Sequence, residues 1–122
     1  MGKNYLLIQE IEVWYIIPRL RKEFAKEFLK KGMSYEEIGK ILGISKVAVS
    51  YYLRNKRGNK IKLSNEIKEE IKKSVNLITN KKSNIVNEIQ RILKKMRETK
   101  CSCNICREYN KKILEYCNCE LI

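Results

Sequence analysis

The chain has no histidine, one proline and one tryptophan in 122 residues. Without histidine there is no side chain of near-neutral pKa and no imidazole to ligate a metal. A Gly-rich phosphate loop and a nucleophile motif are also missing, and the acids sit on ordinary helix faces, so an enzyme is not expected. The longest apolar run, Val13 to Ile17, falls far short of the ~18 residues that read as a transmembrane helix. "MGKNYLLIQEIEVW" carries acids among its early apolar residues and no small-residue cleavage site, so no signal peptide and a cytoplasmic location are expected. Helix breakers are scarce in a sequence this rich in Lys, Ile, Glu and Asn, so the expected fold class is all-α.

Charge is abundant and one-sided. Basic residues number 27 against 14 acidic, a net of +13. Residues 1–60 carry 13 basic and 6 acidic, residues 61–100 carry 11 and 5, and residues 101–122 carry 3 and 3. The excess is thus spread over the first hundred residues, and the last stretch is neutral. Such a surface attracts polyanions, nucleic acid first and anionic membrane second. Charge alone does not distinguish these partners from a merely solvated Lys-rich face.

Composition divides the chain into three parts. Residues 1–60 hold the proline and all five glycines; residues 61–100 are polar, Ile-rich and free of both; residues 101–122 hold all five cysteines. "YLLIQEIEVWYII" fits a helix better than a strand, and Pro18 suits the first position of the next helix. From there Leu20, Phe24, Phe28 and Leu29 fall on one face, and Gly32 closes the helix.

"SYEEIGKILGISKVAVSYYLRNKRG" is the most informative stretch. Ser34 with Glu37 is a capping box, so a helix begins at Tyr35, with Ile38, Ile41 and Leu42 inward. Gly43 ends it, Ser45 caps a second helix, and Val49, Tyr52 and Leu53 form the inner face of that helix. Gly39 stands where the two helices cross, and Ile44 plugs the core after the turn. Two short helices joined this way make a helix-turn-helix, whose second member lies in the major groove of duplex DNA. Two ordinary core helices are the bland alternative, but they need none of these spacings.

The expected DNA-contacting residues follow from orientation. Lys46, Val47, Ser50, Tyr51 and Arg54 point outward on the second helix. Lys46 is suited to guanine acceptors, Val47 to a thymine methyl, and Ser50 to a base or a phosphate. Arg54, Lys56 and Arg57 are expected to clamp phosphates, while Ser34, Tyr35 and Ser45 open helices whose N-termini face the backbone.

"EVWYIIPRLRKEFAKEFLKKGMSYEEIGKILGISKVAVSYYLRNKRG" resembles a family of archaeal predicted transcriptional regulators with a Cro/repressor-like (XRE-type) helix-turn-helix. The resemblance rests on the VWY-apolar-apolar-P-x-apolar-R run from Val13 to Arg21, on G-apolar-S-x-x-x-V-S-x-Y-L from Gly43 to Leu53, and on the closing KRG, Lys56 to Gly58. It covers about residues 11–58 and implies sequence-specific DNA binding. Family members often carry a C-x-x-C near the C-terminus, which Cys103 and Cys106 reproduce. This chain departs in having Gly39 where alanine is usual, and in its three further cysteines.

Residues 61–100 read as two amphipathic helices. Ser64 caps the first, with Ile67, Ile71, Val75 and Ile78 in line; "TNKKSN" interrupts; Ser83 or Asn84 caps the second, with Ile85, Ile89, Leu93 and Met96 in line. Such faces complete a monomer core or form a dimer seam. A homodimer is the favoured expectation, because helix-turn-helix readers usually bind two half-sites related by a two-fold axis.

The tail has the pattern C-x-C-x2-C-x10-C-x-C at Cys101, Cys103, Cys106, Cys117 and Cys119. Between the clusters, "NICREYNKKILEYC" fits a helix with Ile105, Tyr109, Ile113 and Tyr116 inward. At about 1.5 Å per residue such a helix separates the clusters, so one shared site needs a bend or two protomers. An all-thiolate set without histidine suits an iron–sulfur cluster, of the four-iron, four-sulfur type, or a structural zinc ion. Disulfides are disfavoured by the odd count and the expected compartment; free thiols are the remainder. The surplus fifth cysteine favours iron–sulfur, since a redox, oxygen or iron sensor can use an exchangeable ligand. Two other functions compete: a DNA- or RNA-binding protein with a zinc- or disulfide-stapled tail, and a thiol oxidoreductase at Cys103 and Cys106. The latter lacks the βαβ context its chemistry prefers.

Overall fold

A computed structural model describes residues 7–54 and 62–98, which form helices and turns with no strand among them. Helix α1 (Ile8–Ile11) runs into a π-helical turn (Glu12–Ile16) and on into α2 (Ile17–Lys30). Pro18 stands in the first turn of α2, as expected, but the backbone is already helical before it. A proline inside a helix leaves the carbonyl one turn back without a donor and crowds it. The wide turn just before Pro18 accommodates this, the Ile17 N–H reaching the Glu12 carbonyl five residues back. Leu20, Phe24 and Phe28 are fully buried, with Phe24 and Phe28 stacked at 6.1 Å between ring centroids. Leu29, one step further round the helix, is 41% exposed and does not belong to that face. Gly32 closes α2: its N–H bonds Leu29 and the Met33 N–H bonds Phe28, the paired bonds of a Schellman motif.

Helix α3 (Tyr35–Leu42) starts at the expected capping box. The Glu37 N–H donates to Ser34 Oγ and the Ser34 N–H to Glu37 Oε1, both at 3.1 Å. Helix α4 (Lys46–Leu53) is capped by Ser45, whose Oγ accepts from the Ala48 N–H at 3.0 Å. Ser64 caps α5 (Asn65–Thr79) in the same way. For α6 (Ile85–Glu98) the cap is Asn84, which accepts from the Asn87 N–H at 2.9 Å, whereas Ser83 donates to Glu88 Oε2. Lys81, in the turn between α5 and α6, holds a left-handed φ of 58°.

One core joins all of these helices. Ile11, Ile16, Leu20, Phe24 and Phe28 meet Ile38, Leu42 and Val49 of the hairpin, and also Leu63, Ile67, Ile71, Val75, Ile92, Leu93 and Met96. The apolar stripes of α5 and α6, expected to form a dimer seam, are thus packed within the chain itself. The energetics favour this: each such side chain contributes ~1.5–3 kcal/mol on burial, and the alternative leaves the stripes wet until a partner arrives. The α6 stripe is also broader than its in-line residues. Ile92 is fully buried, while Ile85 and Ile89 are only partly so.

Candidate nucleic-acid interface

The α3–α4 joint is held by backbone. The Gly39 carbonyl accepts from both the Gly43 and Ile44 N–H groups, the latter at 3.0 Å. A Cβ at Gly39 would lie 2.7 Å from the Ile44 carbonyl oxygen, closer than such atoms pack, so any larger residue there forces the turn to shift. Gly43 turns the chain with φ +71°, in the left-handed region that glycine enters without a Cβ penalty. Ile38, Leu42, Ala48, Val49 and Tyr52 are buried beneath the joint. Ala48 is an inward position that the sequence reading did not assign.

With those faces turned in, α4 presents the opposite one. Lys46, Val47, Tyr51 and Arg54 are exposed, Val47 by 58% and Tyr51 by 39%, and Ser50 is half-buried. The structure pairs two of the expected contact residues: Arg54 Nε donates to Ser50 Oγ at 2.8 Å. The serine therefore holds the guanidinium at the C-terminal end of α4, rather than offering an independent acceptor. Lys46 makes no ion pair among the described residues, which leaves its ammonium available to an anion. Ser34 and Ser45 use their oxygens as helix caps and keep their hydroxyl hydrogens to donate. Tyr35 is half-buried, its side chain packed on the core. Lys56 and Arg57 lie outside the described residues, as do Cys101, Cys103, Cys106, Cys117 and Cys119. Among the described residues no group of His, Cys, Asp or Glu is placed to hold a metal ion.

α5 and α6 are tied by a part-buried polar network that sequence reasoning missed. Ser74 donates to Glu88 Oε1 at 2.6 Å; Arg91 donates to Glu88, to Ser74 Oγ at 2.8 Å and to Glu70 at 2.6 Å; Lys95 reaches Glu70 at 3.1 Å. Hydrogen bonds from Arg91 and then Lys95 hold the Glu70 carboxyl down at about 2. Burial opposes ionisation of Glu88, yet hydrogen bonds from Ser74, Ser83 and Arg91 keep its pKa below the ordinary value. The available signal was polar Glu70 and Ser74 interleaved with Ile67, Ile71 and Val75 on one helical stripe. Burial, with Arg19 and Lys26 nearby, lowers the pKa of Lys22 on α2. At the far end, Arg97 grips Glu12 with two hydrogen bonds of 2.9 and 2.7 Å, fastening the end of α6 to the π-turn. No described helix is long and apolar enough to cross a membrane. Compared with known proteins, the chain matches no family model, no curated protein and no solved structure.

Proposed function

We propose that the chain is a sequence-specific DNA-binding transcriptional regulator that inserts α4 into the major groove. The observation that carries this reading is the joint itself. A helix locked by the Gly39–Ile44 backbone approach presents an outward face of Lys46, Val47 and Tyr51, in a chain of net charge +13. An ordinary core hairpin has no need to leave Val47 and Tyr51 in solvent. On this reading Lys46 and Val47 meet base edges, Arg54 meets a phosphate from its seat on Ser50, and the N-termini of α3 and α4 face the backbone. Pairs of half-sites call for a homodimer bound to the duplex, formed through a surface other than the α5 and α6 stripes already spent in the core.

The five cysteines are read as ligands of an iron–sulfur cluster, which supplies oxidisable iron–thiolate chemistry and hence redox, oxygen or iron sensing. What supports this is composition: five thiolates and no histidine, within 19 residues of an otherwise cysteine-free chain. The DNA reading is tested by selecting duplexes from a random pool and titrating the selected and random duplexes at two salt concentrations. Preference for the selected site that persists at the higher salt is expected, and equal affinity for both duplexes defeats the reading. Anaerobic purification is expected to yield coloured protein; colourless protein with stoichiometric zinc replaces the sensor with a structural staple.

A further inference from the structure

We propose that the groove between α2 and α5 binds a small phosphomonoester that carries hydroxyl groups. The groove has a volume of about 240 Å³ and is walled by two matching stripes. Glu23, Lys26, Glu27 and Lys30 of α2 follow the i, i+3, i+4, i+7 pattern of one helical face. Asn65, Lys68, Glu69 and Lys72 of α5 repeat that pattern on the other wall. Lysine thus stands at the second and fourth places of both stripes, and glutamate at the third. The buried Ile71 closes the bottom. Among the described residues no ion pair crosses the groove, since every pair made by its walls stays within one helix.

The balance of charge selects an anion. Four lysines against three glutamates leave one positive charge in the groove. Glu23 is already held by Arg19 at 3.3 Å, and its contact with Lys26, at 3.8 Å, is a loose one. The Lys30–Glu27 and Lys72–Glu69 pairs, at 3.2 and 3.5 Å, have largely exposed ammonium groups, and ion pairs of that kind contribute little. Lys68 is half-buried and makes no ion pair among the described residues. One ammonium is thus free, and three others change partners at small cost when a dianion enters between the walls.

Chemistry and size narrow the class of ligand. The groove offers ammonium groups and no guanidinium. Lysine meets phosphate as a point charge, whereas a planar carboxylate is the better partner of an arginine fork. Glu27, Glu69 and Asn65 supply acceptors, and hydroxyl groups are the neutral donors that satisfy them. At ~30 Å³ per water the volume holds roughly eight waters, or about ten covalently joined heavy atoms, which is a phosphate on a three-carbon polyol. A nucleic-acid backbone suits the groove less, because its successive phosphates would press on Glu27 and Glu69. Occupancy of the groove is independent of whether α4 enters DNA.

Glycerol 3-phosphate is the probe, titrated calorimetrically into the full chain without DNA, with glycerol, inorganic phosphate and sulfate compared at matched ionic strength. The ester is expected to bind more tightly than either inorganic anion and to raise the melting midpoint, while glycerol alone does neither. Lys68→Met is expected to weaken the ester about tenfold, the scale of one charge-assisted hydrogen bond. Lys94→Met removes the same charge from an exposed position on α6 and is expected to leave the affinity unchanged. Lys30→Met, on the opposite wall, decides on the same readout if Lys68→Met fails to fold. No binding of the ester in the millimolar range overturns the proposal, as does equal affinity for inorganic phosphate. Equal losses in Lys68→Met and Lys94→Met also overturn it, since they mean general attraction to a chain of net +13. So does a Lys68→Met variant that loses as much affinity for random duplex as for the ester, which assigns the groove to a nucleic-acid backbone.

Discussion

Gly39→Ala puts the α3–α4 joint under direct load. The added methyl lies 2.7 Å from the Ile44 carbonyl oxygen, and that oxygen is backbone, with no rotamer to swing aside. Relief requires moving the turn by several tenths of an ångström, a crowding of the kind that costs ~1–3 kcal/mol. Alanine recovers ~1 kcal/mol over glycine through its better helix propensity and the smaller entropy of its unfolded chain. The expected net is a destabilisation of about 1 kcal/mol, or roughly 3–6 °C in melting temperature for a chain of this size. Because the Gly39 carbonyl accepts from both Gly43 and Ile44, a shift there tilts α4. Affinity for a selected duplex should therefore fall by more than the lost stability explains. Gly43→Ala is the control: its new methyl meets nothing within 4 Å, so the cost is left-handed strain alone, ~1 kcal/mol. The two are compared by urea denaturation and duplex titration of each variant. A Gly39→Ala protein that melts at or above the parent temperature and binds with parental affinity refutes the tight joint.

Further outcomes follow from the same contacts. The Glu70 carboxyl, held down at about 2 by Arg91 and Lys95, stabilises the fold above its ordinary value near 4.5, and that stability drains away as pH falls from there toward 2. Screening at the partly exposed Arg91 and Lys95 reduces the contribution to ~1–2 kcal/mol. Glu70→Gln should lose about that much at pH 7 and flatten the acid limb of a urea-midpoint profile; curves that stay parallel from pH 5 to 2 contradict the assignment. Lys81→Gly relieves a left-handed φ of 58° in the α5–α6 turn and should raise stability by ~0.5–1 kcal/mol in a melting experiment, with no rise expected if that turn is unstrained. Lys46→Ala should change which duplex is preferred, whereas Arg57→Ala should weaken all duplexes alike and lower the salt slope by ~1; uniform loss in both would move Lys46 to the backbone.

What the sequence revealed and what it hid differ in range. The Ser34–Glu37 box, the Ser45 cap, the Gly43 turn and the Gly39 crossing each involve residues within about a turn or two of one another, so residue type and spacing specify them before any tertiary contact exists. The helical stripes of α5 and α6 were equally plain, but a stripe states that a face is buried and not against what. Ile67, Ile71 and Val75 would read the same in a dimer seam or in their own core, and it was the apolar face of α2, completed by Ile11 and Ile16, that claimed them. Arg97 and Glu12 are 85 residues apart and carry no mutual signal in the chain. Pro18 marked the first turn of α2 but not what precedes it, for a related reason. Its missing N–H says that a regular helix cannot pass unaltered, but a fresh start and a widened turn both satisfy that constraint, and only the burial of Ile11 and Ile16 on the shared core selects the widened turn. The outward residues of α4 were recoverable because they are what the inward ones leave over. Their chemistry was less so, since the bond from Arg54 to Ser50 converts two separate contacts into one supported cation.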